Sequence, residues 1–233
     1  MFPKRLLKAF GRIKQGGISS LKTIIIHAGP RKNWNTAQLL KEAQKGAESV
    51  GAETEYIDLY DLNFTGCRSC LACKLKGAER NKCYWKDDLS PVIDRILAAD
   101  NLIVGSPIYY AEPTAGFRAL FERLLCCTMS YDGGEMYYPG TLDIGLIYTM
   151  NAPKDYFEKN MYPALRFQET MMKAMLKGDV RCYASCDTVQ VRDYSRYSLG
   201  IFNEEAKKAH HDEQFSIDLK EAFRMGAEMS QKK

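Results

Sequence analysis

No stretch of the 233-residue chain approaches the roughly 18–20 consecutive apolar residues of a membrane span, so no transmembrane helix is expected. Neither G-x-G-x-x-G nor G-x-x-x-x-G-K-[ST] occurs, which excludes the dinucleotide fingerprint and the Walker loop. Internal repeats and low-complexity segments are lacking too. The N-terminus has neither the continuous apolar core nor the small-residue cleavage site of an export signal, so a cytoplasmic location is expected. In that reducing compartment the eight cysteines point to metal or redox chemistry before structural disulfides.

Acid is missing from residues 1–22, which hold Lys4, Arg5, Lys8, Arg12, Lys14 and Lys22. They account for more than the whole formal charge of +4, so the body is slightly acidic and has no electrostatic reason to bind nucleic acid. Residues 1–21 read as a basic arm and 22–233 as one domain, 45 % hydrophobic and 27 % charged overall, as in ordinary globular proteins.

The stretch Leu102–Leu125 organises that domain. It reads as a buried strand ending at Gly105, a turn at Ser106–Pro107, an aromatic shelf of Ile108, Tyr109 and Tyr110, and a helix from near Thr114. Pro107 stiffens the loop, and the two tyrosines offer flat faces with polar tips. Upstream, Lys22–Ala28 contains three consecutive isoleucines, the pattern of a central parallel strand. It runs into Gly29-Pro30-Arg31-Lys32-Asn33-Trp34-Asn35-Thr36 and a helix over Ala37–Val50. A basic, glycine-bearing loop at a helix N-terminus suits an anion, with Arg31, Asn35 and Thr36 as side-chain donors. Without further support it also reads as an ordinary turn with a basic rim.

Glu53–Leu59 alternates as an edge strand, Asp87–Ala99 has helical period, and Leu142–Thr149 and Val180–Val191 read as the fourth and fifth strands. Helices are expected over Tyr156–Leu176 and Glu204–Ser230. His210 and His211 fall on a solvated helix surface, and His27 reads as a turn residue. These elements predict an α/β fold with a doubly wound five-stranded parallel sheet, order 2-1-3-4-5, and helices on both faces.

The irregular segment 60–86 carries Cys67-x2-Cys70-x2-Cys73, then Cys83 after nine more residues. Close thiolates of this kind can converge on an iron–sulfur cluster. Zinc, a Cys70/Cys73 dithiol switch and simple packing are alternatives. Cys126, Cys127, Cys182 and Cys186 read as packing residues. In the expected topology the first, third and fourth strand ends line one crevice, with phosphate at Gly29–Thr36, a flat ring against Pro107–Tyr110 and its polar edge near Thr149–Asn151. That layout suits FMN.

Three segments in order carry a family resemblance: Gly29 to Thr36; Cys67, Cys70, Cys73 and Cys83 followed by Asp87-Asp88-Leu89; and Gly105-Ser106-Pro107-Ile108-Tyr109-Tyr110. From Lys22 onward the chain resembles the flavodoxin-like NAD(P)H-dependent FMN reductase superfamily, particularly its iron–sulfur flavoprotein branch. Two departures stand out: Gly29 replaces the usual serine and Trp34 the usual glycine. The spacing before Cys83 is also longer than usual. The resemblance implies FMN held by Gly29, Pro30, Arg31, Asn35, Thr36, Ser106, Pro107, Ile108, Tyr109, Tyr110, Thr149 and Asn151, with hydride from NAD(P)H passed on to a flavin, quinone or similar acceptor. It implies no catalytic side chain, because the flavin carries the chemistry. It further implies a homodimer or tetramer in which the tyrosine-rich loop 130–140 completes the partner's site. Alternatives are a [4Fe–4S] iron–sulfur flavoprotein exchanging electrons with a ferredoxin-like partner, and a non-enzymatic flavin or thiol redox sensor.

Overall fold

The computed structural model describes residues 20–231, so nearly all of the basic arm lies outside the described residues. Strand β1 (Lys22–His27) occupies the middle of the sheet because Ile24, Ile25 and Ile26 are each 0 % exposed, and such a run needs cover on both faces. Around it, β2 (Glu53–Asp58), β3 (Asn101–Tyr109), β5 (Leu142–Thr149) and β6 (Lys177–Ser185) give the order β2-β1-β3-β5-β6, all neighbours parallel. This is the expected order of five strands. A sixth, β4 (Glu112–Pro113), folds back antiparallel on the end of β3.

Helix α1 (Asn35–Ser49) and the long α6 (Glu204–Met229) cover one face, with a core that includes Ile25, Leu40, Ile103, Ile147 and Phe215. Glycines let these helices touch, since a Cβ on Gly226 would lie 1.9 Å from the Ala43 carbonyl oxygen and one on Gly46 2.0 Å from that of Phe223. Helices α2 (Leu89–Leu97), α3 (Ala115–Thr128) and α5 (Tyr162–Leu176) enclose the larger core with Ile24, Ile26, Leu89, Ile93, Phe117, Leu146 and Leu165. A helical turn, α4 (Lys154–Tyr156), and a π-helical segment (Phe157–Met161) lead into α5. No helix among the described residues is long and apolar enough to cross a membrane.

Two boundaries depart from the sequence reading for identifiable reasons. Strand β3 does not stop at Gly105 but continues through the expected turn to Tyr109, pairing with β5 as far as Pro107 opposite Thr149. Beyond the end of β1 the flank of β3 that faced it is open, so Pro107 breaks no ladder bond there. The chain then reverses at Tyr110 and Ala111, both with positive φ (52° and 69°), as a two-residue hairpin demands. Strand β6 begins three residues before the expected Val180 and ends at Ser185. Lys177, at φ 62°, turns the chain straight out of α5. Residues 186–191 therefore leave the sheet and become available to the strand ends.

Candidate cofactor site and cysteine pocket

The carboxyl ends of β1, β3 and β5 open on one crevice of about 90 Å³, where the strand order reverses between β1 and β3. Gly29, Pro30, Arg31, Asn35, Thr36, Pro107, Ile108, Tyr109, Thr149 and Asn151 all line it. Ser106 and Tyr110 do not. The Ser106 hydroxyl accepts from the Thr114 backbone N–H (3.0 Å) and donates to the Pro107 carbonyl (2.9 Å), fixing the start of α3. Tyr110 stands fully exposed at the tip of the hairpin, so the aromatic shelf reduces to Ile108 and Tyr109.

The first turn of α1 is built for an anion. Its N-cap is Trp34, in extended backbone, whose side chain caps nothing, and the turn holds no acid. Asn35, Thr36 and Ala37 are nevertheless buried, their backbone N–H groups have no acceptor within the helix, and Asn35 and Thr36 line the crevice. Buried free donors at the positive end of a helix are an unfavourable arrangement unless a negative group meets them. The loop below is rigid: Ala28 donates from its backbone N–H to the Gly105 carbonyl (2.8 Å) and its carbonyl accepts from the Thr114 hydroxyl (2.5 Å). In the same turn of α1, Thr36 joins Thr149 at the end of β5 through their hydroxyls at 2.7 Å. Asn151 Oδ1 is a buried acceptor with no partner among the described residues. Free N–H donors for a phosphate, the apolar Ile108 and the flat ring of Tyr109 for a planar group, and an unused acceptor on Asn151 together suit a flavin mononucleotide.

Residues 187–190 form a wall that the sequence reading did not foresee. Trp34 Nε1 and Asn35 Nδ2 both donate to the Val189 carbonyl (3.2 and 2.9 Å), and Arg31 Nη1 donates to that of Gln190 (2.6 Å). The guanidinium groups of Arg31 (4.8 Å) and Arg192 (5.9 Å) both lie over the Trp34 ring. Thr188 donates through its hydroxyl to the Met150 carbonyl (3.0 Å), and the buried Lys207 ammonium donates to the Asn151 carbonyl (2.8 Å) and pairs with Asp187. Arg31 spends one of its five N–H donors in this strap and keeps the rest. The only sequence trace of the wall was Trp34 standing where the resemblance has glycine.

His27 is not a turn residue. It is the last residue of β1, 1 % exposed, with Nδ1 3.0 Å from Asp58 Oδ2 and with Nε2 on the crevice side.

The cysteines form a second centre. Cys67, Cys70, Cys73 and Cys83 line one small pocket of about 20 Å³, and Cys126 and Cys127, read from sequence as packing residues, line it too. All eight cysteines are free thiols. Among the described residues no group of three cysteine, histidine or acidic side chains is placed to hold a metal ion. Burial pushes the Cys127 thiol far up and Cys126, which also bonds to Cys67, up to about 12. The buried Arg123 guanidinium donates to Cys83 Sγ (3.2 Å), Asp87 Oδ2 (2.5 Å), Ser90 Oγ (2.6 Å) and the Thr65 carbonyl (3.2 Å). Burial pushes the Asp87 carboxyl up, but the hydrogen bond and charge of Arg123 outweigh this and hold it below its ordinary value.

A family model described as NADPH-dependent FMN reductase matches residues 21–138. An iron–sulfur flavoprotein of Methanocaldococcus jannaschii is 35 % identical over 103 residues, 44 % of this chain and 51 % of that protein. One of Archaeoglobus fulgidus is 33 % identical over 103 residues, 44 % and 48 % of the two chains. The chain thus spans about half the length of the curated relatives it matches. Among solved structures, an NAD(P)H:quinone oxidoreductase from Methanothermobacter marburgensis superposes with a TM-score of 0.62 at 18 % identity, over 92 % of this chain and 100 % of that one. An FMN-dependent NADH-azoreductase from Bacillus anthracis, solved in complex with FMN, gives 0.59 at 12 %, over 90 % and 100 %. At these identities the likeness supports the flavodoxin-like fold alone.

Proposed function

This chain belongs to the NADPH-dependent FMN reductase family, and we propose from that premise that it is an FMN-dependent oxidoreductase taking reducing equivalents from NAD(P)H. The observation that carries the reading is the buried, uncapped and acid-free N-terminus of α1 opening on the crevice. Its N–H groups and Arg31 hold the phosphate. Ile108 and Tyr109 support the ring, and Asn151 Oδ1 accepts from its polar edge. When bound, FMN would supply the redox chemistry, acceptance of hydride from NAD(P)H and delivery of electrons to a flavin, a quinone or a similar acceptor. The protein's task is to bind, orient and shield; no side chain is needed to move a proton. Reconstituting the apoprotein with FMN and following NADH and NADPH oxidation tests this. Protein that binds no flavin would end the reading.

The hairpin tip and α5 leave an aromatic surface open. Glu112 Oε2 accepts from Gln168 Nε2 at 3.1 Å, which brings the hairpin carrying exposed Tyr110 beside exposed Phe167. A second copy of the chain would cover such a surface, in keeping with a homodimer.

A second reading rests on the four thiols of Cys67, Cys70, Cys73 and Cys83 sharing one pocket with the Arg123 cation. Drawn closer together than they stand here, those thiolates would hold a [4Fe–4S] cluster whose negative charge Arg123 would offset, and the cluster would supply one-electron exchange with a ferredoxin-like partner. Iron and acid-labile sulfide in anaerobically purified protein test it; their absence together with full NAD(P)H turnover would leave the flavin acting alone.

A further inference from the structure

The imidazole of His27 is a buried polar group that the flavin reading leaves without a task. Asp58 steers it: Oδ1 accepts from the Tyr60 backbone N–H (2.9 Å), and Oδ2 lies 3.0 Å from His27 Nδ1. A carboxylate only accepts, so the Nδ1 proton belongs to that contact and Nε2 is the atom turned toward the crevice. Nε2 has no partner among the described residues and is shut away from water. Around the ring stand Asp58, the Tyr56 ring at 6.5 Å, Gly29 and Pro107. A Cβ on Gly29 would come within 3.0 Å of both Nε2 and Pro107 Cδ, so glycine is the residue that leaves Nε2 uncrowded by a side chain. His27 shares the crevice with the first turn of α1, and no acidic residue lines it among the described residues.

An imidazole that only tied β1 to β2 would leave Nε2 sealed in with nothing to bond, which buried polar atoms rarely tolerate. An anionic oxygen over Gly29 resolves both this and the uncapped helix. We propose that His27, oriented by Asp58, is a binding residue for the phosphate monoester of the flavin nucleotide, a role that rests on the flavin reading above. In the complex Asp58 accepts the Nδ1–H, and Nε2 and a phosphate oxygen share one hydrogen bond. No bond is made or broken.

The test measures dissociation constants of FMN and riboflavin at a single pH for wild type, His27→Leu and His27→Gln, and thermal shifts of each apoprotein with inorganic phosphate. Leucine fills the volume without a donor; glutamine keeps an N–H near the place of Nε2. FMN binding is expected to weaken about 10- to 100-fold in His27→Leu, with riboflavin binding unchanged and FMN binding partly restored in His27→Gln. Phosphate is expected to raise the melting temperature of wild type and not of His27→Leu. Equal losses for FMN and riboflavin, or no loss for either, would overturn the role of His27 while the flavin reading stands. Wild type that phosphate stabilises and neither flavin binds would instead overturn the flavin reading and keep His27 at an anion site.

Discussion

Arg123 and Asp87 meet at 2.5 Å between α3 and the end of the cysteine segment, with the arginine side chain 1 % and the aspartate 10 % exposed. One cation thereby ties the Thr65 carbonyl, Cys83 and Ser90 to the body of the domain. Replacing Arg123 by Met strands the Asp87 charge, and loss of about 3–5 kcal/mol is expected in denaturant unfolding. Asp87→Asn should cost less, because the amide still accepts from Arg123. Equal stability of Arg123→Met and wild type would show that the contact is not made in solution.

The same pair sets a pH dependence. The folded carboxyl of Asp87 titrates below its unfolded value, so its contribution is complete above about pH 4 and is lost as pH falls through the folded value. Acid unfolding of wild type should be steeper below that pH than acid unfolding of Asp87→Asn. Parallel curves would contradict the assignment.

Gly226→Ala places a methyl 1.9 Å from the Ala43 carbonyl oxygen, a backbone atom that cannot step aside. The α1–α6 contact must open, at a cost of about 1–3 kcal/mol or more. Differential scanning calorimetry checks this, and Gly51→Ala offers a contrast, since nothing lies within 4 Å there although its φ of +84° adds strain.

The Tyr110–Ala111 turn holds two non-glycine residues at positive φ. Changing the pair to Asn-Gly suits that turn, so the melting temperature should rise by a few degrees, equivalent to about 1 kcal/mol. If flavin turnover falls while stability rises, the exposed Tyr110 ring serves the site or its partner.

Thiol reactivity should split by exposure. Cys67 and Cys70 are exposed and should react first with a disulfide reagent at mildly alkaline pH. Cys127 and Cys182, both pushed well up by burial, should react only on unfolding. Protection of Cys67 and Cys70 in anaerobic protein, lifted by an iron chelator, would favour the cluster reading.

Most of the architecture was legible in the residue pattern. The isoleucine run Ile24–Ile26, the matching apolar runs of β3 and β5, and helices with 3.6-residue spacing between them leave few ways to build a sheet, and the parallel order follows from the short crossovers. Helix α3 starts where Thr114 can cap it, and the Thr114 hydroxyl indeed accepts from the Phe117 N–H. Local chemistry of this kind is written in neighbouring residues.

What neighbouring residues could not show was set by contacts far apart in the chain. Pro107 reads as a turn until the end of β1 leaves its flank open. Residues 186–191 read as strand until β6 starts early at Lys177 and frees them to wall the crevice 150 residues away from Arg31 and Asn35. Cys126 and Cys127 read as packing until the loop bearing Cys67–Cys83 folds over α3. His27 reads as a turn residue until β2 brings Asp58 beside it. In each case a side chain's role depends on which distant backbone stands next to it, and that is decided by the packing of the whole sheet.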